Sequence, residues 1–156
     1  MKKSAQLYLI ACDIRSLYNV GALFRNCDAF GVRTLYLCGC TGTPPRSEIS
    51  KTALGAERNV PWEHARQTLP LLKRLRVDGV RIVALERARG SVPLPDYHPK
   101  FPLALVVGNE VDGLSAPIRR FADAVVSIPM QGAKESLNVA VAAGVALYAL
   151  NLKRET

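Results

Sequence analysis

Three groups of side chains, far apart in the chain, combine polar chemistry with glycine or with an abrupt strand end. They are Asn19-Val-Gly-Ala-Leu-Phe-Arg25, then Val106-Val-Gly-Asn-Glu110-Val-Asp-Gly-Leu114, then Ile128-Pro-Met130 leading to Ser136-Leu-Asn138. Arg25 supplies a cation that can grip two oxygens of an anion at once. Gly108, where an apolar run stops, lets a ligand approach the backbone. The change from strand to loop at Gly108-Asn109-Glu110 is also where α/β folds place their ligands. Each group has a purely structural reading beside this one: Asn19 and Ser136 as helix caps, Arg25 as a solvated charge, Asn138 as a first-turn residue. The second group is no phosphate loop, because Gly108 and Gly113 are not followed by Lys and Ser or Thr, nor does it read G-x-G-x-x-G.

Metal chemistry lacks its ligands. Cys38-Gly-Cys40 has no second close pair, and His64 and His98 stand far from it without ligand spacing. With Cys12 and Cys27 these make four cysteines, three of them within or beside apolar runs, which reads as buried reduced thiols.

The apolar pattern specifies the elements that must position these residues. Runs at 7–11, 34–37, 81–85, 103–107 and 125–128 alternate with segments of helical spacing. That alternation predicts an α/β fold, a mostly parallel sheet with helices on both faces. A helix is predicted over 19–30, with Val20, Leu23, Phe24 and Cys27 as its apolar stripe, Asn19 as N-cap and Gly31 just past its end. At about 100° per residue Arg25 falls on the opposite side and is free to reach a ligand. A second helix is predicted over 136–153, near-periodic in Leu137, Val141, Val145, Tyr148 and Leu152, with alanines and Gly144 that admit another backbone. Weaker helices fall at 69–76 and 115–121, while 39–45 and the proline-rich 91–102 read as loops.

A chain of 156 residues suits one domain over 1–156, burying roughly 70% of the surface its unfolded form exposes. Lys and Arg number 21 against 13 acidic residues, a net charge of +8, and fourteen of the 21 are arginines. Such a surface favours polyanions without by itself specifying nucleic acid. No apolar run approaches the ~20 residues that span a bilayer. The start, Met1-Lys-Lys-Ser-Ala-Gln6, enters an apolar strand without a signal-peptide pattern, so the expected location is the cytoplasm.

The three groups, in this order and at these ends of predicted strands and helices, resemble the three motifs of the SpoU-type (TrmH-like) RNA ribose methyltransferases. The likeness covers essentially the whole chain, including Lys51-Thr-Ala-Leu-Gly-Ala-Glu57. It implies a homodimer that moves a methyl group from S-adenosylmethionine to a ribose 2′-hydroxyl of tRNA or rRNA, without metal. It also implies a deep trefoil knot in the C-terminal part that holds the cofactor, an expectation resting on the resemblance alone, since general topology rules disfavour knots. By the same resemblance Asn19, Arg25, Glu110, Ser136 and Asn138 belong to the catalytic centre. Leu85, Gly108, Asn109, Ile128, Met130, Ser136 and Leu137 belong to the cofactor pocket. The helix over 136–153, packed with the first, is the expected subunit contact.

Methyl transfer of this kind is an in-line displacement at a carbon activated by the sulfonium. The protein must hold the methyl against the oxygen and help a weakly acidic hydroxyl lose its proton. The family assigns hydroxyl activation to the arginine that Arg25 matches; with a guanidinium pKa above ~12, stabilising a developing alkoxide or clamping a neighbouring phosphate suits Arg25 better. One departure from the family is Val111, where members often carry glycine. Two rival readings stand beside this one. A non-catalytic RNA-binding protein on the same scaffold would need a decayed motif, whereas all five catalytic positions are intact. A nicotinamide-dependent oxidoreductase would need a glycine fingerprint after the first strand, where Asp13-Ile-Arg-Ser-Leu-Tyr-Asn19 stands instead.

Overall fold

The computed structural model describes residues 5–154, so residues 1–4 and 155–156, and with them part of the reading of the chain's start, lie outside the described residues. The central strands form where both faces are buried. In β1 (Leu7–Cys12), Leu7, Leu9 and Ala11 enter one apolar cluster, and Ile10 and Cys12 enter another. In β6 (Leu103–Val107), Leu103, Leu105 and Val107 take the first side, and Ala104 and Val106 the second. The remaining strands are β2 (Thr34–Cys38), β3 (Trp62–Ala65), β4 (Arg81–Leu85), β5 (Val92–Pro93) and β7 (Ala124–Ser127). All pair in parallel, in the order β3-β2-β1-β6-β4-β7-β5.

Helices cover both faces, as the alternation of runs predicts. α1 (Leu17–Ala29), α2 (Ser47–Ala53), α3 (Ala56–Asn59) and α6 (Val139–Leu152) contribute to one cluster; α4 (Thr68–Val77) and α5 (Ala116–Phe121) contribute to the other. α1 buries Val20, Leu23, Phe24 and Cys27 and leaves Arg25 exposed. α1 packs against α2 and α3, and against α6 through Asn26, whose Nδ2 donates to Ala140 O at 2.8 Å. A Cβ on Gly144 would lie 3.1 Å from Asn26 Oδ1, so what this glycine admits is the Asn26 side chain rather than another backbone.

Two predicted helix starts are corrected. α1 begins earlier, with Ser16 as N-cap accepting from Asn19 N at 3.2 Å, so Asn19 lies inside the first turn with its amide available for other partners. α6 begins later, with Asn138 as the cap: its Oδ1 accepts from Ala140 N at 2.9 Å and Val141 N at 3.2 Å, and Ser136 stays in the loop before it. Within 91–102, read as loop, lie β5 on the sheet edge and a 3-10 turn over Leu94–Asp96. The two short helices α2 and α3 and the edge strand β3 are additions to the predicted elements.

Cys12, Cys27 and Cys38 are buried and Cys40 is exposed. Burial pushes the Cys12 thiol up to about 12 and Cys38 to about 11, so both are held as neutral thiols at neutral pH. Among the described residues no helix is long and apolar enough to cross a membrane.

Candidate functional site

An all-parallel sheet brings the carboxyl ends of all its strands to one edge. β6 lies between β1 and β4, and β7 lies on the far side of β4. The loops after β1, β4, β6 and β7 therefore meet, and these loops carry the three residue groups. The register puts Ala11 beside Val107, Ala84 beside Val106, and Leu85 beside Val126.

The loop after β6 is folded tightly on itself. Gly113 N donates to Asn109 O at 2.9 Å, and Asn109 Oδ1 accepts from Val111 N at 2.7 Å and Asp112 N at 3.1 Å. Asn109 Nδ2 donates to Asp13 O at 2.8 Å, joining the loop to the end of β1. Asp13 itself has a positive φ of 53°, a conformation aspartate tolerates better than most residues, and its Oδ1 accepts from Cys40 N at 3.0 Å. A Cβ on Gly108 would lie 2.6 Å from the Gly113 carbonyl carbon and 2.7 Å from Leu114 N. The sequence suggests that this glycine makes room for a ligand; the structure shows that the loop's own backbone occupies the space first.

Glu110 stands at the tip of this turn and accepts from Asn19 Nδ2 at 3.2 Å, with the Arg15 and Ser16 amides at 3.4 and 3.5 Å. Asn19 Oδ1 in turn accepts from Asn138 Nδ2 at 3.1 Å. One hydrogen-bonded line, Glu110–Asn19–Asn138, thus joins all three groups. Burial by itself would raise the Glu110 pKa, but hydrogen bonds from its own backbone, from Asn19 and from the Arg15 and Ser16 amides outweigh it and hold the carboxyl below its usual value. Glu110 is an anion that organises its neighbours, not a group poised to take a proton near neutral pH.

Behind this line opens a cleft of about 480 Å³, within the range of small-molecule sites. Leu85, Gly108, Asn109, Ile128, Met130, Ser136 and Leu137, the seven residues expected at a cofactor, all line it, as do Glu110 and Asn138. Asn19 reaches its rim through its two partners. Arg25 does not line it; it lies exposed on α1, with no hydrogen bond or ion pair to the described residues. The walls combine apolar Leu85, Val107, Ile128 and Leu137 with four carboxylates, Glu86, Glu110, Asp112 and Glu135, against the single guanidinium of Arg87. In a chain of +8 this cleft is locally acidic, which suits a cationic ligand and opposes a pyrophosphate.

Glu86 is the wall residue that the sequence reading passes over. It directly follows Leu85 at a strand's carboxyl end, the same position in its strand that marks Gly108 after Val107. Among the described residues no group of three His, Cys, Asp or Glu side chains is placed to hold a metal ion.

Comparison with known proteins gives concordant matches. A family model described as the SpoU rRNA Methylase family matches residues 6–148. A tRNA (guanosine(18)-2′-O)-methyltransferase of Aquifex aeolicus is 34% identical over 154 residues, covering 99% of this chain and 72% of that protein. Other curated relatives are longer, the chain spanning 48% of one and 59% of another. The crystal structure of the SpoU methyltransferase AviRb from Streptomyces viridochromogenes in complex with AdoMet superposes with a TM-score of 0.89 at 26% identity, over 97% of this chain and 61% of that one. A structure concerned with 2-OH methylation of C/U34 on tRNA has a TM-score of 0.84 at 27% identity and covers 95% of both chains.

Proposed function

The chain belongs to the SpoU rRNA methylase family, and on that premise we propose that it is an enzyme transferring a methyl group from S-adenosylmethionine to a ribose 2′-hydroxyl of RNA. The observation that carries this is the Glu110–Asn19–Asn138 line at the mouth of a cleft lined by all seven residues expected at the cofactor. The cleft's chemistry fits that cofactor: apolar walls for a purine, and carboxylates for a molecule whose sulfonium and ammonium outweigh its single carboxylate. When bound, the cofactor supplies a methyl carbon already activated by its sulfonium.

The chain's own residues do the rest. Leu85, Ile128, Met130 and Leu137 exclude water from the base, beside backbone groups of the 108–114 and 128–137 loops. Glu110, through Asn19, orients Asn138, and Ser136 offers a hydroxyl at the cleft where the acceptor ribose enters. Arg25, exposed and unpaired among the described residues, stabilises the developing alkoxide or holds the adjoining phosphate.

The same reading includes a homodimer and a knotted C-terminal part within one catalytic domain, in the cytoplasm. The exposed stripe Val141, Val145, Tyr148 and Leu152 on α6 supports the dimer, being apolar and regularly spaced. The placement of β6 between β1 and β4, with α6 returning over α1, is compatible with the knot. Three buried, unpaired cysteines suit a reducing compartment. A tRNA is the favoured substrate, because the relative concerned with C/U34 on tRNA matches this chain along nearly the full length of both.

Incubation with labelled S-adenosylmethionine and separated tRNA and rRNA, followed by nucleoside mass spectrometry, tests the reading. The expected product is a 2′-O-methylated nucleoside from tRNA; a methyl group on a base or on protein would overturn it.

A further inference from the structure

Glu86 stands outside all three motifs, yet the second of them folds onto its carboxylate. Its backbone N–H donates to Val126 O at 3.0 Å, which fixes the residue where β4 and β7 run side by side. Its Oε2 accepts from Leu114 N at 2.7 Å. A Cβ on Gly113 would lie 2.7 Å from Oε2 and 2.8 Å from Oε1, so the carboxylate fills the space where a side chain would otherwise stand. Gly113 is thus packed against Gly108 through its carbonyl carbon and against Glu86 at its Cα. The turn that presents Glu110 to Asn19, and through it reaches Asn138, is latched from the neighbouring strand.

The second carboxylate oxygen, Oε1, has no hydrogen-bond partner among the described residues, and Glu86 lines the cleft. A carboxylate is an acceptor only, so the lone pairs of Oε1 stand open to a donor that enters the cleft. A ligand in this cleft that brings an O–H or N–H to Oε1 gains a charge-assisted hydrogen bond.

We propose that Glu86 serves the site twice: Oε2 positions the 108–114 loop, and Oε1 accepts a hydrogen bond from a donor on the bound cofactor, a ribose hydroxyl or the ammonium. This rests on reading the cleft as the S-adenosylmethionine site.

Glu86→Gln separates the two roles, because the amide keeps one carbonyl oxygen for Leu114 N and loses the second acceptor. The expected result is unchanged protection of the Leu114 amide in hydrogen exchange, together with S-adenosylhomocysteine binding weakened about tenfold to a hundredfold in calorimetry. Glu86→Ala should lose both protection and affinity. 5′-Methylthioadenosine, which has the ribose hydroxyls but no ammonium, distinguishes the two donors. An equal loss with this compound assigns the contact to the ribose, and no loss assigns it to the ammonium. Wild-type affinity for S-adenosylhomocysteine in Glu86→Gln overturns the contact, and so does an affinity lost only together with the loop's protection. A wild-type protein that binds neither compound overturns the reading of the cleft itself, and the Glu86 contact with it.

Discussion

Glu110 and Arg25, the two charged residues in the proposed catalytic set, differ in their engagement: donors within the fold gather on Glu110, whereas Arg25 is uncommitted among the described residues. Glu110's folded pKa is depressed by the donors gathered on it. Its contribution to stability is therefore fully present above the ordinary carboxylate range and is lost as pH falls through the depressed folded value. Glu110→Gln mimics the protonated form, so the Tm gap between wild type and variant should be widest at neutral pH and close in acid. A gap that widens in acid would contradict this assignment. Arg25 has no partner to lose among the described residues and does not line the cleft. Arg25→Ala should then stay within about 0.5 kcal/mol of wild-type stability and keep S-adenosylhomocysteine affinity in calorimetry. Its turnover should fall roughly a hundredfold or more, the scale of losing one group that stabilises developing charge. Weakened cofactor binding with intact turnover would reverse the role given to it.

The elements that hold these residues differ in how far the sequence discloses them. β4 and β6 are legible to the residue, because strands buried on both faces must be continuous apolar runs and their ends coincide with a change of composition. The exposure of Arg25 is legible for the same reason: the apolar stripe of α1 fixes which side faces out. Helix starts are not. Ser16 and Asn19 are both good caps, as are Ser136 and Asn138, and the choice within each pair is made by contacts from distant segments. Glu110 recruits the Asn19 amide, and Ser16 caps instead. β3 and β5 are short edge strands carrying polar residues or proline, without a periodic signal. Gly108 shows the limit of local reasoning most directly, since what it makes room for is Gly113, five residues on. A valine there must push the 113–114 backbone aside. Gly108→Val should cost about 1–3 kcal/mol in denaturant unfolding and abolish S-adenosylhomocysteine binding by displacing the loop, with Leu114 losing its exchange protection. Full affinity with an undisturbed loop would show that the close packing is not required.

At the scale of the whole molecule, charge is sorted by depth: the exterior is basic and the cleft acidic. The parallel sheet sends Arg66 after β3, Arg46 after β2, Arg15 after β1, and Arg87 and Arg89 after β4 to the edge where the cleft opens, and all five are exposed. Arg15 is paired with Asp112 at 3.7 Å and Arg46 with Glu48 at 3.6 Å, exposed contacts of small value that a phosphate can displace. Arg66 and Arg89 have no such partner among the described residues. An RNA backbone lying along this edge would release about 0.7 counterion per phosphate contacted in single strands and about 0.9 in duplex, so log K should fall linearly with log salt. Arg66→Ala and Arg89→Ala should each reduce the magnitude of that slope by about one contact. S-adenosylhomocysteine, a zwitterion of zero net charge held inside the cleft, should bind with far less response to the same change in salt. The two titrations, measured on one preparation, separate an exterior that recognises a polyanion from an interior that recognises the cofactor. RNA affinity indifferent to salt, or a slope unchanged in both arginine variants, would count against this edge as the RNA track.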